Sequence, residues 1–242
     1  TFFHDDVIAT QMLFDSLSAL ALTGADFAFS LAGGSVFAQQ CCAYLQSAES
    51  LEFVCISSGN EEFDEAFCKQ LTAVPFASKS LKSLNVAFSL SCDQVDAVLS
   101  AIQNPFSLRE LNLESTSADS IPAFKKHFAT KRFWGLKELI VGGSLLKSVE
   151  FLQLLIESTR LQSLIINTRM SKSVATLFLE SRLLEEGWLT ELKVNWGMTQ
   201  SMRDALSRNR SRHERCRRAC IGLISMRRKR GIMLNVPSDL VR

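Results

Sequence analysis

The chain has no apolar run that approaches the ~20 residues a membrane-spanning helix needs. Its best stretch, Leu17 to Leu22, is far too short, so membrane insertion is not expected. No basic segment followed by an apolar core opens the sequence, and nothing marks a secretory signal. Thr1 stands where an initiator Met would, so the chain reads as processed or as part of a longer one. Histidine is scarce: His4, His127 and His213 are the only three, and none has a nucleophile or carboxylate partner at motif spacing. With no catalytic signature present, the expectation is a protein that is not an enzyme and carries no cofactor. Paired cysteine spacings are also missing. Seven cysteines, an odd number, argue for thiols in a reducing compartment rather than for a disulfide framework. Cytosol, or the nucleus, is the expected location.

What is present begins with an ordinary globular composition, 47% hydrophobic and 21% charged, which excludes wholesale disorder. The net charge of +2 hides an asymmetry. Residues 1–207 carry 16 Lys/Arg against 23 Asp/Glu, a net of −7, whereas residues 208–242 carry 11 against 2, a net of +9. An acidic body is followed by a basic tail.

An internal period runs through the body. The string Leu-x-x-Leu-x-Leu, with aliphatic substitutions, recurs as Leu51-Val54-Ile56, Leu81-Leu84-Val86 and Leu108-Leu111-Leu113. It returns as Leu136-Leu139-Val141, Leu161-Leu164-Ile166 and Leu189-Leu192-Val194. The first leucines lie 30, 27, 28, 25 and 28 residues apart, and Phe27 with Phe29 reads as a degenerate copy 27 residues before Val54 and Ile56. Between the triplets the apolar spacing becomes helical, as at Phe63, Phe67 and Leu71, or Val95, Val98, Leu99 and Ile102. Ile121, Phe124 and Phe128, then Val149, Leu152, Leu155 and Ile156, repeat it. Each unit therefore reads as a short strand followed by an amphipathic helix. Ser91 or Asp93, and Ser171 or Ser173, are the candidate helix caps.

These residues resemble a leucine-rich-repeat protein of the ribonuclease-inhibitor-like subclass, over about residues 20–207. The resemblance implies an α/β solenoid, with a curved parallel sheet on the concave face and helices on the convex face. Such repeats bury their apolar faces only by stacking. The family often places Asn or Cys at the ninth motif position; here Gly59, Ser89, Thr116, Ser144, Arg169 and Gly197 stand there. The turns must satisfy their polar groups in some other way.

Three segments follow from this: 1–22 as an N-terminal helix or cap, 23–207 as the repeat array, and 208–242 as a basic helical segment. In the last, Cys216, Ala219, Cys220, Leu223 and Ile224 form an apolar stripe, expected to pack, with the arginines mainly off it. Gly231 suits a helix end, and Pro237-Ser238-Asp239 look like the start of another helix that continues past Arg242.

Because side chains alternate along a strand, the residues between the motif leucines point away from the core. The expected partner-binding set is Phe53, Asn85, Glu110, Asn112, Glu114, Glu138, Glu191, Lys193 and Asn195, with Phe88 and Trp196 as aromatic anchors. Four carboxylates would make an acidic stripe suited to a basic protein partner. Other patterns carry less. His213, Cys216 and Cys220 lack a fourth metal ligand, and Gly142-Gly143-Ser144 with Lys147-Ser148 misses the phosphate-loop spacing. His213 to Leu223 fails the elongin-binding-box pattern, since Arg212 stands four before Cys216, and Val236 to Leu240 is only a fragment like an F-box opening. The expected function is protein recognition on the concave face; the alternative is a ubiquitin-ligase adaptor whose segment 208–242 docks the scaffold. Nucleic acid is disfavoured, because the apolar stripe of the tail is expected to be packed.

Overall fold

The computed structural model of the chain describes residues 7–18, 20, 22–29, 34–72, 74–113, 115–142, 144, 145, 148, 151, 154, 155, 158, 159, 161–166, 189–194 and 198–229. Strands and helices alternate: α1 (Val7–Ser18), β1 (Gly24–Phe29), α2 (Ser35–Ser47), β2 (Phe53–Ser58), α3 (Glu61–Leu71), β3 (Ser83–Val86), α4 (Cys92–Ala101) and β4 (Glu110–Leu113). Then come α5 (Ile121–Phe128), β5 (Glu138–Val141), β6 (Ser163–Ile166), β7 (Glu191–Val194) and a 30-residue helix α6 (Gln200–Lys229). The seven strands form one open parallel sheet in strict chain order. Neighbouring helices pack in sequence, α1 on α2 through to α4 on α5. The result is a solenoid-like α/β arrangement, in which no strand or helix skips its neighbour.

Register explains why. Val54, Leu84, Leu111, Leu139, Leu164 and Leu192 sit opposite one another on adjacent strands, all at most 4% exposed. The first leucines, from Leu51 to Leu189, are buried beside them. Facing them are the helical residues of the sequence pattern, among them Phe63, Phe67, Val95, Leu99, Phe124 and Phe128, all fully buried. Helix starts follow local chemistry. Asn60 caps α3 by accepting from the backbone N–H of Glu62 and Phe63, and Ser91 with Gln94 closes a reciprocal capping box on α4. The candidate caps Ser171 and Ser173 lie outside the described residues.

Two expectations need correction. The degenerate first repeat pairs Ala25 with Val54 and Phe27 with Ile56, two residues away from the expected alignment. A shift of two keeps every side chain on its face. Phe27 therefore still packs with Phe14 and Tyr44, at ring separations of 5.8 Å for both pairs. The other correction concerns α6, which begins at Gln200 and runs through the expected boundary at 207/208. Its packed residues are Met202, Ala205, Leu206 and Asn209, whereas Cys216, Ala219 and Cys220 are exposed.

Hydroxyls link the repeats where the sequence lacks an asparagine ladder. Ser50 Oγ donates to Leu22 O at 2.7 Å, Ser78 Oγ to Leu51 O, and Ser107 Oγ to Leu81 O at 2.9 Å. Each satisfies the carbonyl of the residue that ends the preceding connection. At the far end Asn209 Nδ2 donates to Leu189 O at 2.9 Å, and Arg210 Nε donates to Thr190 O at 2.6 Å. Helix α6 thus caps the last strand with the same bond that the next repeat would supply.

Between α4 and α5, His127 Nε2–H donates to Asp96 Oδ1 at 2.8 Å, and Lys126 Nζ donates to Asp96 Oδ2 at 2.8 Å. Burial lowers the His127 pKa, outweighing the opposite pull of Asp96. Asp96 is also held below its usual range: burial acts to raise it, but the bonds from Lys126 and His127 outweigh burial. For both groups the unfolded chain binds more protons, so stability rises with pH across each window.

Two outcomes follow. Leu111→Ala removes an inward leucine shared by two neighbours and should cost about 2–5 kcal/mol in urea unfolding; a loss below about 1 kcal/mol would contradict a shared core. Stability should decline as pH falls below the ordinary histidine value of 6.5, and His127→Gln should flatten that part of the melting-temperature profile.

Candidate functional site: the open face of the sheet

Burial alternates along β2 to β5, and the residues between the inward ones form two rows across the open face, in which Ser163 alone is buried, at 7% exposed. The first runs Gly24, Phe53, Ser83, Glu110, Glu138, Ser163, Glu191. The second runs Asp26, Cys55, Asn85, Asn112, Ile140, Ile165, Lys193. Seven residues of the expected binding set lie in these rows. Phe53 is 48% exposed, large for an aromatic ring in water. Glu110 and Glu138 face each other on adjacent strands, and neither makes an ion pair among the described residues. Like charges directly opposite destabilise a sheet. Glu191 is different, because Lys193 Nζ approaches its Oε1 at 3.4 Å.

Phe88 does not belong to the face. It is 4% exposed and stands edge-on to Phe63 and Phe67, with centroids at 6.5 and 6.2 Å. The signal was in the numbering, since 88 has the parity of inward Leu84 and Val86. Trp196 has the inward parity of Leu192, but Trp196, Glu114 and Asn195 lie outside the described residues.

Sequence reasoning missed two features. Lys82, Arg109 and Lys137 stand at the strand starts, each joined to the next by backbone bonds: Arg109 N–H to Lys82 O and Lys137 N–H to Arg109 O. A row of basic residues therefore runs along the edge of the sheet where the strands begin. Lys82 Nζ contacts Glu52 Oε2 at 2.7 Å, and Arg109 Nη1 donates to Gly135 O at 2.9 Å. Gly135 is required there, because a Cβ would stand 2.5 Å from Phe106 O. The positions immediately before Ser83, Glu110 and Glu138 carry this row, so a second reading of each motif would have found it.

The other missed feature is a polar cluster at the β1 edge. The Cys55 thiol bonds the Asp26 carboxylate, and Asn85 Nδ2 donates to Cys55 Sγ at 3.2 Å. Burial, then the Asp26 bond and charge, push the Cys55 thiol up against a smaller downward pull from Asn85. Asn85 Oδ1 is buried without a partner. The two-residue slip in register hid this, by placing Asp26 beside Phe53.

Catalytic geometry is not assembled around His127, since Ser100 Oγ (3.4 Å) and Asp96 Oδ1 (2.8 Å) both address the same Nε2. A relay would use opposite ring nitrogens. Among the described residues no three His, Cys, Asp or Glu side chains cluster to hold a metal ion, and no helix is long and apolar enough to cross a membrane.

Thiol reactivity tests the cluster. Cys216 and Cys220, both exposed, should alkylate first, and Cys55 more slowly, as its raised pKa leaves little thiolate. Asp26→Asn should speed Cys55 severalfold at pH 8 by mass-spectrometric timing, with Cys216 and Cys220 unchanged as internal standards. An unchanged Cys55 rate would contradict the Asp26 bond. Comparison of the sequence with known protein families gives no match, and neither does comparison with curated proteins.

Proposed function

We propose that the chain is a non-catalytic leucine-rich-repeat module that holds a partner protein on the open face of its sheet. The observation that carries this reading is the uncompensated pair Glu110 and Glu138, in register on adjacent strands and on the same row as exposed Phe53. Stability alone gives no reason to align two carboxylates, and a cationic group from a partner would relieve them. Phe53 supplies the aromatic anchor, of the kind that dominates interface energies.

The row Lys82, Arg109, Lys137 lies at the strand starts, where Glu52 and Gly135 engage Lys82 and Arg109, so the acidic row sets the partner's chemistry. A ligand that lies along the open face meets Glu110 and Glu138 in line with Phe53, so the match is to a pattern rather than to bulk charge. Such patterning gives specificity and rejects wrong partners more than it adds affinity. The cytosol or nucleus suits this role, and the seven unpaired cysteines support a reducing compartment.

The test uses a photo-crosslinking residue placed at position 53 on the open face and, separately, at exposed Glu65 on α3. Crosslinks from a cell extract should form at position 53 and not at 65. They should disappear in E110K/E138K, whose melting temperature should match wild type because one like-charged pair replaces another. Crosslinks that survive the charge reversal, or that form equally at position 65, would sink the reading.

A further inference from the structure

We infer that the distal turns of α6 are a duplex DNA-binding element that enters the major groove through its arginine arc. This stands apart from the open face and does not depend on it.

The capping work of α6 ends at Arg210, with the bonds to Leu189 O and Thr190 O. From Ser211 to Ile221 every residue is exposed except half-buried Glu214. Those turns carry the helix ~16 Å past Arg210, at 1.5 Å per residue. The packing that disfavoured nucleic acid in the sequence is absent from them.

The chemistry of the helix is that of a phosphate ligand. It holds nine arginines and one lysine against two acids, Asp204 and Glu214. Arginine bonds phosphate oxygens in a bidentate fork that lysine lacks. At 100° per residue, the seven arginines from Arg203 to Arg218 sweep roughly 220° of the circumference. A B-form major groove is about 12 Å wide and admits one α-helix, with phosphates on both walls. A lipid surface fits less well. An interfacial helix inserts bulky apolar side chains, and the rest of the circumference over 208–221 offers Asn209, His213, Cys216 and Cys220.

One acid interrupts the arc. Glu214 reaches Arg218 Nε at 2.9 Å and Arg217 Nη1 at 3.9 Å. The Arg218 bond comes first among the causes that hold its carboxyl below the usual range. Glu214 therefore competes with phosphate for two of the free arginines.

The experiment is fluorescence anisotropy of a labelled 20-base-pair duplex with the full chain, titrated between 50 and 200 mM salt. With Arg208, Arg212, Arg215, Arg217 and Arg218 engaged, log K against log salt should slope at about −4.5, so binding weakens about 500-fold across that range. The variant R212Q/R215Q/R217Q/R218Q should bind at least tenfold more weakly and lose about 3.6 of the slope. Glu214→Gln should bind severalfold more tightly than wild type. Both variants should keep the wild-type melting temperature, because the four arginines are exposed and Glu214 bonds only Arg217 and Arg218 among the described residues. Duplex RNA of equal length should bind more weakly, since its deep, narrow groove does not admit the helix. Wild-type binding by the quadruple variant, equal affinity for duplex RNA, or tighter binding to phosphatidylserine vesicles than to DNA would overturn the proposal. A melting temperature that falls in either variant would do the same, by showing that the arginines serve the body.

Discussion

Every repeat in this molecule is completed by its neighbour, and the bond that shows it most directly runs from the hydroxyl before one strand to a carbonyl of the repeat before it. Ser50, Ser78 and Ser107 make it in succession to Leu22, Leu51 and Leu81. The bond to Leu51 O is buried, where an unmade bond would cost ~1–3 kcal/mol, whereas the bond to Leu22 O is exposed and the one to Leu81 O part-buried. The same dependence holds for the inward side chains, because a single strand and helix cannot bury both faces of Leu84 or Leu111. Stacking is therefore obligatory, and so is a stop. Asn209 provides it by bonding Leu189 O.

Stacking also creates the open face. Parallel strands held in chain order repeat each outward position at intervals of about 4.8 Å, so a residue that recurs in the motif becomes a row on the surface. Glu110 beside Glu138, and Lys82, Arg109 and Lys137 next to them, are products of that geometry. A substitution at one strand changes one place along a row, and this makes the face adjustable without disturbing the leucines behind it. The convex side uses a different device: Asp96 and His127, on neighbouring helices, clamp α4 to α5 with a part-buried hydrogen bond.

Helix α6 belongs to both regimes. Its first turns obey the rules of the array and bury Met202, Ala205 and Leu206. Its later turns obey only the local rules of an isolated helix, where arginine is tolerated all round because nothing excludes it. The transition falls where the sheet edge ends.

Local periodicity was enough to read the strands, the inward triplets, the buried faces of α3 and α4 and the Ser91 cap, because which face a side chain occupies is set within a few residues of it. The acidic row was legible for the same reason, and Phe88 would have been, had its parity been followed. Contacts between residues twenty or more apart were decided only by the tertiary structure. The pairing of Ala25 with Val54, the Asp26–Cys55–Asn85 cluster, the Asp96–His127 clamp and the serine bonds between repeats all depend on register. A shift of two residues leaves the alternation of a strand unchanged while moving every neighbour across from it. Where α6 stops packing was hidden likewise: Cys216 and Cys220 continue the spacing of the packed face, and only the tertiary structure shows that they are exposed.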